Sequence, residues 1–549
     1  PNGMAVVGEG ALMASLTRAR GETMRDIVAT IQREQDEVIR APWRGVTEIT
    51  GGPGTGKTAI ALHRVAYLLY RDRRRMGGAG VLVVGPSAAF TSYISRVLPS
   101  MGEDSVELRA VGDLLDGVAA KRVDPAAVTA VKGSLRMRRV LKQAMREAPP
   151  DAPTELRIVY QGEVLKLTAR ELAKVRRSVH SAGRPPNESR VDAAEALLEA
   201  LWRKAESYRD DPAGAPDGQS AARRTELITD LGERIDFHRF VVVWWRLLEP
   251  AEVLGWLGDR QRLAKAAGNA LSAAEVSMLA ESWADPAAGP TVADVALLDE
   301  LRLLLGRPPK RRRRRAEALD VRPAGASYRR PDHYDEYSHV VVDEAQDLSP
   351  MQWRMISRRG RYASWTVVGD PVQSSWPDPA EAEQARIGAL GPRTTRRRFT
   401  LRTNYRNSAE IFRLAARVVE RVATADELPH AVRSTGIEPA VRVVPADALR
   451  EAAVAAAKEL LTEVDGMVGV ITSAARVGEV RAATVGLEPD RLRVVDGLEA
   501  KGLEYDAVVV VEPDELVAES TTGPRTLYVA LTRATQRLVV LTTNPHWPS

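Results

Sequence analysis

Hydrophobic positions along the chain fall into helical and strand-like patterns. Over residues 22–40, Met24, Ile27, Val28, Ile31, Val38 and Ile39 recur near a 3.6-residue period, which predicts an amphipathic helix. A short strand, Val46-Thr-Glu-Ile-Thr50, then runs into Gly51-Gly-Pro-Gly-Thr-Gly-Lys-Thr58. Ala59 to Tyr70 is strongly helical, and Val81-Leu-Val-Val84 is a second buried strand that ends at Gly85-Pro86. Strand, loop, helix and strand in this order predict a βαβ unit of a parallel sheet.

From about 115 to 330 the character changes. The segment is rich in Ala, Leu, Glu and Arg, short on β-branched runs, and broken by stretches such as Asp210-Asp-Pro-Ala-Gly-Ala-Pro-Asp-Gly218. Val191 to Ala205 and Arg239 to Leu257 read as helices, so a mainly helical insertion is expected, with a basic stretch at about 306–330. Sheet-like runs return at His339–Val342, Thr366–Val368, Val441–Val444, Val468–Thr472, Val508–Val511 and Leu538–Leu541. They alternate with helices, which predicts a second α/β domain in roughly the last 150 residues. No internal repeat is evident.

Composition narrows the classes. At roughly 100–200 residues per domain, 549 residues suggest about three or four domains, and 44% hydrophobic residues suit packed cores rather than disorder. The absence of cysteine excludes a disulfide scaffold, a thiol nucleophile, an iron–sulfur cluster and Cys-based zinc. No apolar run approaches the ~18–20 residues of a membrane span and the N-terminus has no signal pattern, so a soluble, cytoplasmic protein is expected. A net charge of +5 is too small to argue for nucleic acid by itself. The charge is lumpy, however: Lys310 to Arg315 is a solid basic block and Arg396 to Arg398 a smaller one. The longer block reads either as a solvated loop or as a contact for an acidic partner such as a nucleic-acid backbone.

The chemistry concentrates in two places. Gly51-x4-Gly56-Lys57-Thr58, between a strand and a helix, fits a phosphate-binding loop. Gly51, Gly52, Pro53, Gly54, Thr55 and Gly56 form the loop, whose N–H groups close around phosphate oxygens at a helix N-terminus. Lys57 would reach the β/γ phosphates, and Thr58 would ligate Mg2+. The second place is Val340-Val-Val-Asp343-Glu344. An acid ending a buried strand belongs beside the metal at the carboxyl edge of the sheet, so Asp343 is the second metal candidate. Glu344, next in line, is suited to orient and deprotonate the attacking water.

Asp343-Glu-Ala-Gln-Asp347 resembles motif II of the UvrD/Rep group of superfamily 1 helicases, and further motifs follow in that group's order. Gln35 resembles the adenine-reading glutamine upstream of the phosphate loop. Val367-Val-Gly-Asp370-x-x-Gln373 is similar to motif III, which implies a γ-phosphate sensor at Gln373. Leu401-x-x-Asn404-Tyr405-Arg406 is similar to motif IV, implying that Tyr405 stacks on adenine and Arg406 touches γ-phosphate. Ala500-Lys-Gly502-Leu-Glu504-Tyr resembles motif V, placing Glu504 at the nucleotide, and Tyr528-Val-Ala-Leu-Thr532-Arg533-Ala resembles motif VI. Arg406 and Arg533 would then neutralise charge on the transferring phosphoryl group. The resemblance implies two RecA-like parallel-sheet P-loop NTPase domains using ATP and Mg2+. The first would comprise residues 1–114 and 331–398, interrupted by the helical insertion 115–330; the second would comprise 399–549.

The likeness is good where ATP binds and poor where single-stranded DNA binds. After Val81–Val84, helicases of the group carry a Thr-Asn-Lys-type segment, whereas this chain reads Gly85-Pro-Ser-Ala-Ala-Phe90. Their base-stacking tryptophan stands five residues past the motif III glutamine, where this chain has Asp378; Trp376 lies two residues earlier. Ala59 replaces an arginine that lies against the nucleotide in some relatives. Only 95 residues separate Arg406 from Lys501, too few for the extra domain of duplex-unwinding relatives.

The HelD/HelR-like factors, which bind RNA polymerase and release it from nucleic acid, resemble this pattern more closely. Arg25 to Ile39, Tyr93-Ile-x-x-Val-Leu-Pro99 and His339 to Trp353 carry that resemblance. It implies a monomeric ATP-driven remodeller whose partner is RNA polymerase core, with DNA or RNA as a further contact and no membrane. Family members carry a long N-terminal coiled-coil arm, while 34 residues precede Gln35 here. The expectation is either a fragment, with Pro1-Asn-Gly ahead of Met4 as a vector remnant, or a variant lacking the arm. Two alternatives stay open: a 3′–5′ single-stranded DNA translocase or repair helicase, and an ATP-gated polymerase-binding protein that needs no turnover.

Overall fold

A computed structural model describes residues 34–76, 80–86, 106–120, 122–208, 217–307, 337–374, 376–420, 422–423, 428–497, 499–501, 503–519 and 522–548. Residues 22–33, Tyr93 to Pro99, Lys310 to Arg315 and Gly502 therefore lie outside the described residues. The chain divides into two compact units, one of residues 1–111, 328–349 and 356–549, the other of 112–327 and 350–355.

The strands in chain order begin with Val46–Gly51 (β1), Val81–Gly85 (β2) and Val106–Ala110 (β3). Leu156–Tyr160 (β4) and Glu163–Leu167 (β5) follow, then His339–Val342 (β6), Ser364–Gly369 (β7) and Arg396–Leu401 (β8). Thr403–Ser408 (β9), His430–Arg433 (β10) and Ala440–Val443 (β11) come next, and Val468–Thr472 (β12), Leu492–Asp496 (β13), Tyr505–Val511 (β14) and Ala534–Thr542 (β15) complete the set.

The first unit has the mixed α/β architecture expected, with two parallel sheets. In the first, the order is β3-β2-β6-β7-β1-β8 and every neighbouring pair is parallel. β2 and β6 are buried at every residue, as befits apolar runs in a sheet covered on both faces. The helix Lys57–Met76 lays Ile60, Val65, Leu68 and Leu69 into a core with Ile49, Val81, Val83, Val341 and Val368. Because β7 lies between β1 and β6, the carboxyl ends of these three strands stand side by side, where an open parallel sheet holds its ligands.

The second sheet, β11-β15-β14-β12-β13, is also parallel throughout. The helices Ala409–Val419 and Gly523–Thr532 share one core with it, and Leu449–Glu463 shares another. A two-stranded parallel ribbon, β9 with β10, completes the unit. The Arg396–Arg398 block opens β8, so the first sheet runs on to Leu401, past residue 398.

The other unit is mainly helical, with one departure from expectation. β4 and β5 form an antiparallel hairpin whose turn, Gln161-Gly162, has φ of +49° and +84°. Two successive positive φ values suit a two-residue hairpin turn. The helix expected over Arg239 to Leu257 is broken: Ile235–Trp244 ends before Leu247, and a new helix starts at Pro250, where a ring that cannot donate is tolerated only in the first turn. The core gathers Trp244 and Trp245 around Arg176, whose guanidinium lies 4.7 and 5.0 Å from the two ring centroids. Among the described residues, no helix is long and apolar enough to cross a membrane.

Candidate nucleotide-hydrolysis site

The loop after β1 is folded by its glycines. Gly54 and Gly56 have φ of +71° and +75°, and a Cβ on Gly54 would stand 2.1 Å from Asn404 Oδ1. Only glycine satisfies both the backbone angle and the close approach. Within the loop, Thr55 Oγ1 and Lys57 Nζ each donate to the Gly52 carbonyl at 2.9 Å. Lys57 and Thr58 begin the helix, so its free N–H groups and the lysine charge converge on one point suited to an anion.

The structure brings Thr58 and Asp343 together: Thr58 Oγ1 donates to Asp343 Oδ2 at 2.7 Å. Asp343 Oδ1 accepts the Glu344 N–H at 2.9 Å, and Glu344 turns into left-handed backbone at φ +49°. Such a conformation in a non-glycine residue costs on the order of 1 kcal/mol and marks a functional turn. Burial pushes the Asp343 carboxyl up to about 7, aided by Glu344 and opposed by the Thr58 hydroxyl and by Lys57. For Glu344, burial also acts upward, but Lys57, the Gln346 amide, Arg533 and Lys501 together hold its carboxyl below the usual range. These surroundings favour the ionised form of Glu344.

Among the described residues there is no cluster of three His, Cys, Asp or Glu side chains able to hold a metal by themselves. The two adjacent oxygen donors at Thr58 and Asp343 nevertheless fit Mg2+, which takes few protein ligands and completes its shell with waters and phosphates.

Gln346 joins motifs II and III. Its Nε2 donates to Glu344 Oε2 at 2.6 Å and its Oε1 accepts the Asp370 N–H at 2.9 Å. Gln373 is buried and donates to Asp370 Oδ2 at 2.7 Å. Burial pushes the Asp370 carboxyl up to about 6 despite Lys57.

A second link runs from the phosphate loop to the other sheet. The Tyr405 N–H donates to the Gly54 carbonyl at 3.1 Å, and Asn404 Oδ1 accepts from the N–H groups of Arg406 and Asn407. Asn407 Nδ2 donates to the carbonyls of Thr532 and Ala534 at 2.8 and 2.7 Å. These bonds tie the segment bearing Arg406 to the one bearing Arg533. Arg406 pairs with Glu504. Arg533 is buried and bonds to the carbonyls of Val529 and Leu503. Burial, then the charge of Arg406, lower its pKa, while Glu344, Glu504 and Asp370 oppose the shift. Lys501 Nζ reaches Asp347 Oδ1 at 2.6 Å.

The remaining sequence-derived candidates are less tightly gathered. Gln35 is half-buried on the helix spanning 34–40 and makes no side-chain hydrogen bond among the described residues. Tyr405 has its ring buried, 3% exposed. The sequence assigns no role to Gln346, Asn404, Asn407 or Lys501, although Gln346, Asn404 and Lys501 stand inside the motifs quoted above and Asn407 directly follows motif IV. Their signal is a polar residue at a position the fold buries or encloses.

The region after motif III explains its departure from the helicase pattern. Asp378 Oδ1 accepts the Glu381 N–H at 3.0 Å and caps the helix Pro379–Leu390. Trp376 is buried, 6% exposed, so its ring faces the interior. Neither residue presents an aromatic face to a base.

Comparison with known proteins matches two spans of the chain to helicase domain families. Residues 327–376 match the UvrD/REP helicase N-terminal domain, and residues 492–541 match the UvrD-like helicase C-terminal domain. The first span holds Asp343, Glu344 and Gln373; the second holds Lys501, Glu504 and Arg533. The chain is also similar to the RecBCD enzyme subunit RecB of Mycobacterium tuberculosis, from strains CDC 1551 / Oshkosh and ATCC 25618 / H37Rv. Each is 33% identical over 97 residues, covering 18% of this chain and 9% of the relative. These two spans are thus similar to UvrD-like helicase domains, a helicase-like type that in general uses ATP with Mg2+.

Proposed function

We propose that this chain is an ATP-hydrolysing, helicase-like motor that binds RNA polymerase core and dissociates it from nucleic acid. The observation that carries the hydrolytic part is the meeting of Thr58, Asp343 and Glu344 at one sheet edge, with Arg533 close enough to act on the Glu344 charge. In this reading Lys57 exchanges the Gly52 carbonyl for phosphate oxygens. Thr58 and Asp343 would hold Mg2+, which would supply charge neutralisation at the phosphates. Glu344, ionised at neutral pH, orients water and accepts its proton. Arg406 and Arg533 stabilise charge on the transferring group, and Gln373 passes the γ-phosphate state to Asp370 and, through Gln346, to Glu344.

The polymerase part is supported by the HelD/HelR-like segments and by the altered strand contacts. A capping aspartate and a buried tryptophan after motif III suit a motor whose work is not base-by-base stepping. A second reading, a single-stranded DNA translocase or repair helicase, is favoured by the similarity to RecB. The Glu344→Gln variant separates turnover from gating. If it binds ATP, fails to hydrolyse it and no longer releases polymerase from a nucleic-acid scaffold, turnover drives release. Release at the wild-type level would make the protein an ATP-gated binder.

A further inference from the structure

A buried hydroxyl without a partner stands behind the nucleotide site. The helix Gly523–Thr532 is buried at every position but Pro524 and Arg525, and Arg533 follows it directly. Within it Tyr528 is fully buried, its ring edge-on to Phe412 with 6.4 Å between centroids and 72° between planes. The Tyr528 hydroxyl makes no hydrogen bond among the described residues. Phenylalanine would fill the same apolar space without the cost of burying an unsatisfied polar group. A donor left open in one state points to a partner gained in another.

The acceptor its surroundings offer is Asp370. The helix docks on the turn Pro371–Gln373: Arg525 Nη1 donates to the Pro371 carbonyl at 3.2 Å, and Val372 shares a core with Leu527, Tyr528 and Leu531. Burial, then the charge of Asp370, hold the Tyr528 phenol well above its usual pKa against the opposing charge of Arg533, so the hydroxyl stays a donor at neutral pH. Asp370 is itself buried. Its Oδ1 accepts the Val372 N–H at 3.0 Å and its Oδ2 accepts from Gln373 Nε2 at 2.7 Å. A carboxylate offers about four acceptor positions, so there is room for a further donor. Gln373 is the residue assigned above to the γ-phosphate. If its amide turns to phosphate, the buried carboxylate gives up a charge-assisted bond that another donor must replace.

We propose that Tyr528 is a positioning residue for the γ-phosphate state: as Gln373 leaves Asp370 for the phosphate, the Tyr528 hydroxyl takes its place on Asp370 Oδ2. This exchange rests on the nucleotide-hydrolysing reading above. It keeps Asp370 paired in both states and ties the helix ahead of Arg533 to motif III when a γ-phosphate is bound. ADP, lacking that group, leaves Gln373 on Asp370 and the hydroxyl open.

The test is titration calorimetry of the full chain with Mg2+ and either ADP or the non-hydrolysable ATP analogue AMP-PNP, for wild type and Tyr528→Phe. Loss of one bond to a charged acceptor predicts a Kd for AMP-PNP raised about 10- to 100-fold, with the Kd for ADP unchanged. In a Gln373→Ala background the same substitution should no longer distinguish the two nucleotides, because no amide is left to vacate Asp370. Without nucleotide, Tyr528→Phe should melt at or above the wild-type temperature, since it removes an unsatisfied buried group. Equal weakening of both nucleotides, a selective loss that persists in Gln373→Ala, or a nucleotide-free variant that melts well below wild type overturns the proposal and leaves Tyr528 a structural residue. Wild-type AMP-PNP affinity in Tyr528→Phe removes the exchange alone, whereas a wild-type chain that binds neither nucleotide removes the nucleotide-hydrolysing reading and the exchange with it.

Discussion

Replacing Arg64 with methionine tests how the phosphate-loop helix holds the segment ahead of it. Arg64 is fully buried and makes six hydrogen bonds. Four go to the carbonyls of Val38, Ile39, Ala41 and Pro42, at the end of the helix that bears Gln35, and two to the hydroxyls of Thr47 and Thr366. A cation there satisfies carbonyls that the helix itself leaves open and complements its dipole. Burial, then Arg397, lowers the guanidinium pKa to about 10 from 12.5, so holding the charge costs about 3 kcal/mol. Bonds from a charged donor contribute about 1.5–3 kcal/mol each, so six outweigh that cost several-fold. Methionine keeps the bulk and strands the carbonyls. We expect a loss of about 3–5 kcal/mol, the scale for breaking a buried charged network. Urea unfolding measures it. Because the freed helix carries Gln35, the KM for ATP should rise more than kcat falls, and ATP should lose part of its advantage over GTP. Arg64→Lys, with three donors, should fall between. A change below about 1 kcal/mol with unchanged KM would refute the reasoning.

Glu344→Gln should lower kcat by roughly 10^2–10^4-fold while nucleotide binding persists; a smaller loss would remove Glu344 as the base. Lys132 is fully buried between Asp124 and Asp294, at 3.0 and 2.9 Å. Lys132→Met should therefore destabilise the helical unit by about 3–5 kcal/mol, partly restored by adding Asp294→Asn, and a mild effect in thermal unfolding would contradict this. His339 is buried between the Ser364 and Thr366 hydroxyls at 2.7 and 3.0 Å, and burial, then Arg64, lower its pKa to about 3 from 6.5. The fold holds it neutral while the unfolded chain takes up a proton, so its contribution is present above pH 6.5 and lost as pH falls toward 3. Two pH units below 6.5 should cost about 3 kcal/mol, and His339→Asn should flatten that dependence in urea midpoints. An unchanged slope would count against it.

The nucleotide edge was readable because its residues are local. Gly51 to Thr58 is one turn between a strand and a helix, and Asp343-Glu344 ends an apolar run, so spacing alone points both to the carboxyl edge of a parallel sheet. The ties between motifs were not readable. Gln346, Asn407 and Arg64 join partners distant in the chain, and no periodicity announces such a bond. β8 was hidden because its Arg396 and Arg398 face Glu48, which reads as surface charge until the partner strand is known. The β4–β5 hairpin did leave a signal, alternation around Gln161-Gly162, within a stretch whose composition reads as helical.

The central claim is that this motor answers to polymerase rather than to a DNA track. Steady-state ATP hydrolysis measured alone, with single-stranded DNA and with RNA polymerase core tests it most directly. We predict that polymerase core changes the rate and that single-stranded DNA leaves it nearly unchanged. Strong stimulation by single-stranded DNA at low salt, with no response to polymerase, would contradict the account and make the chain a translocase.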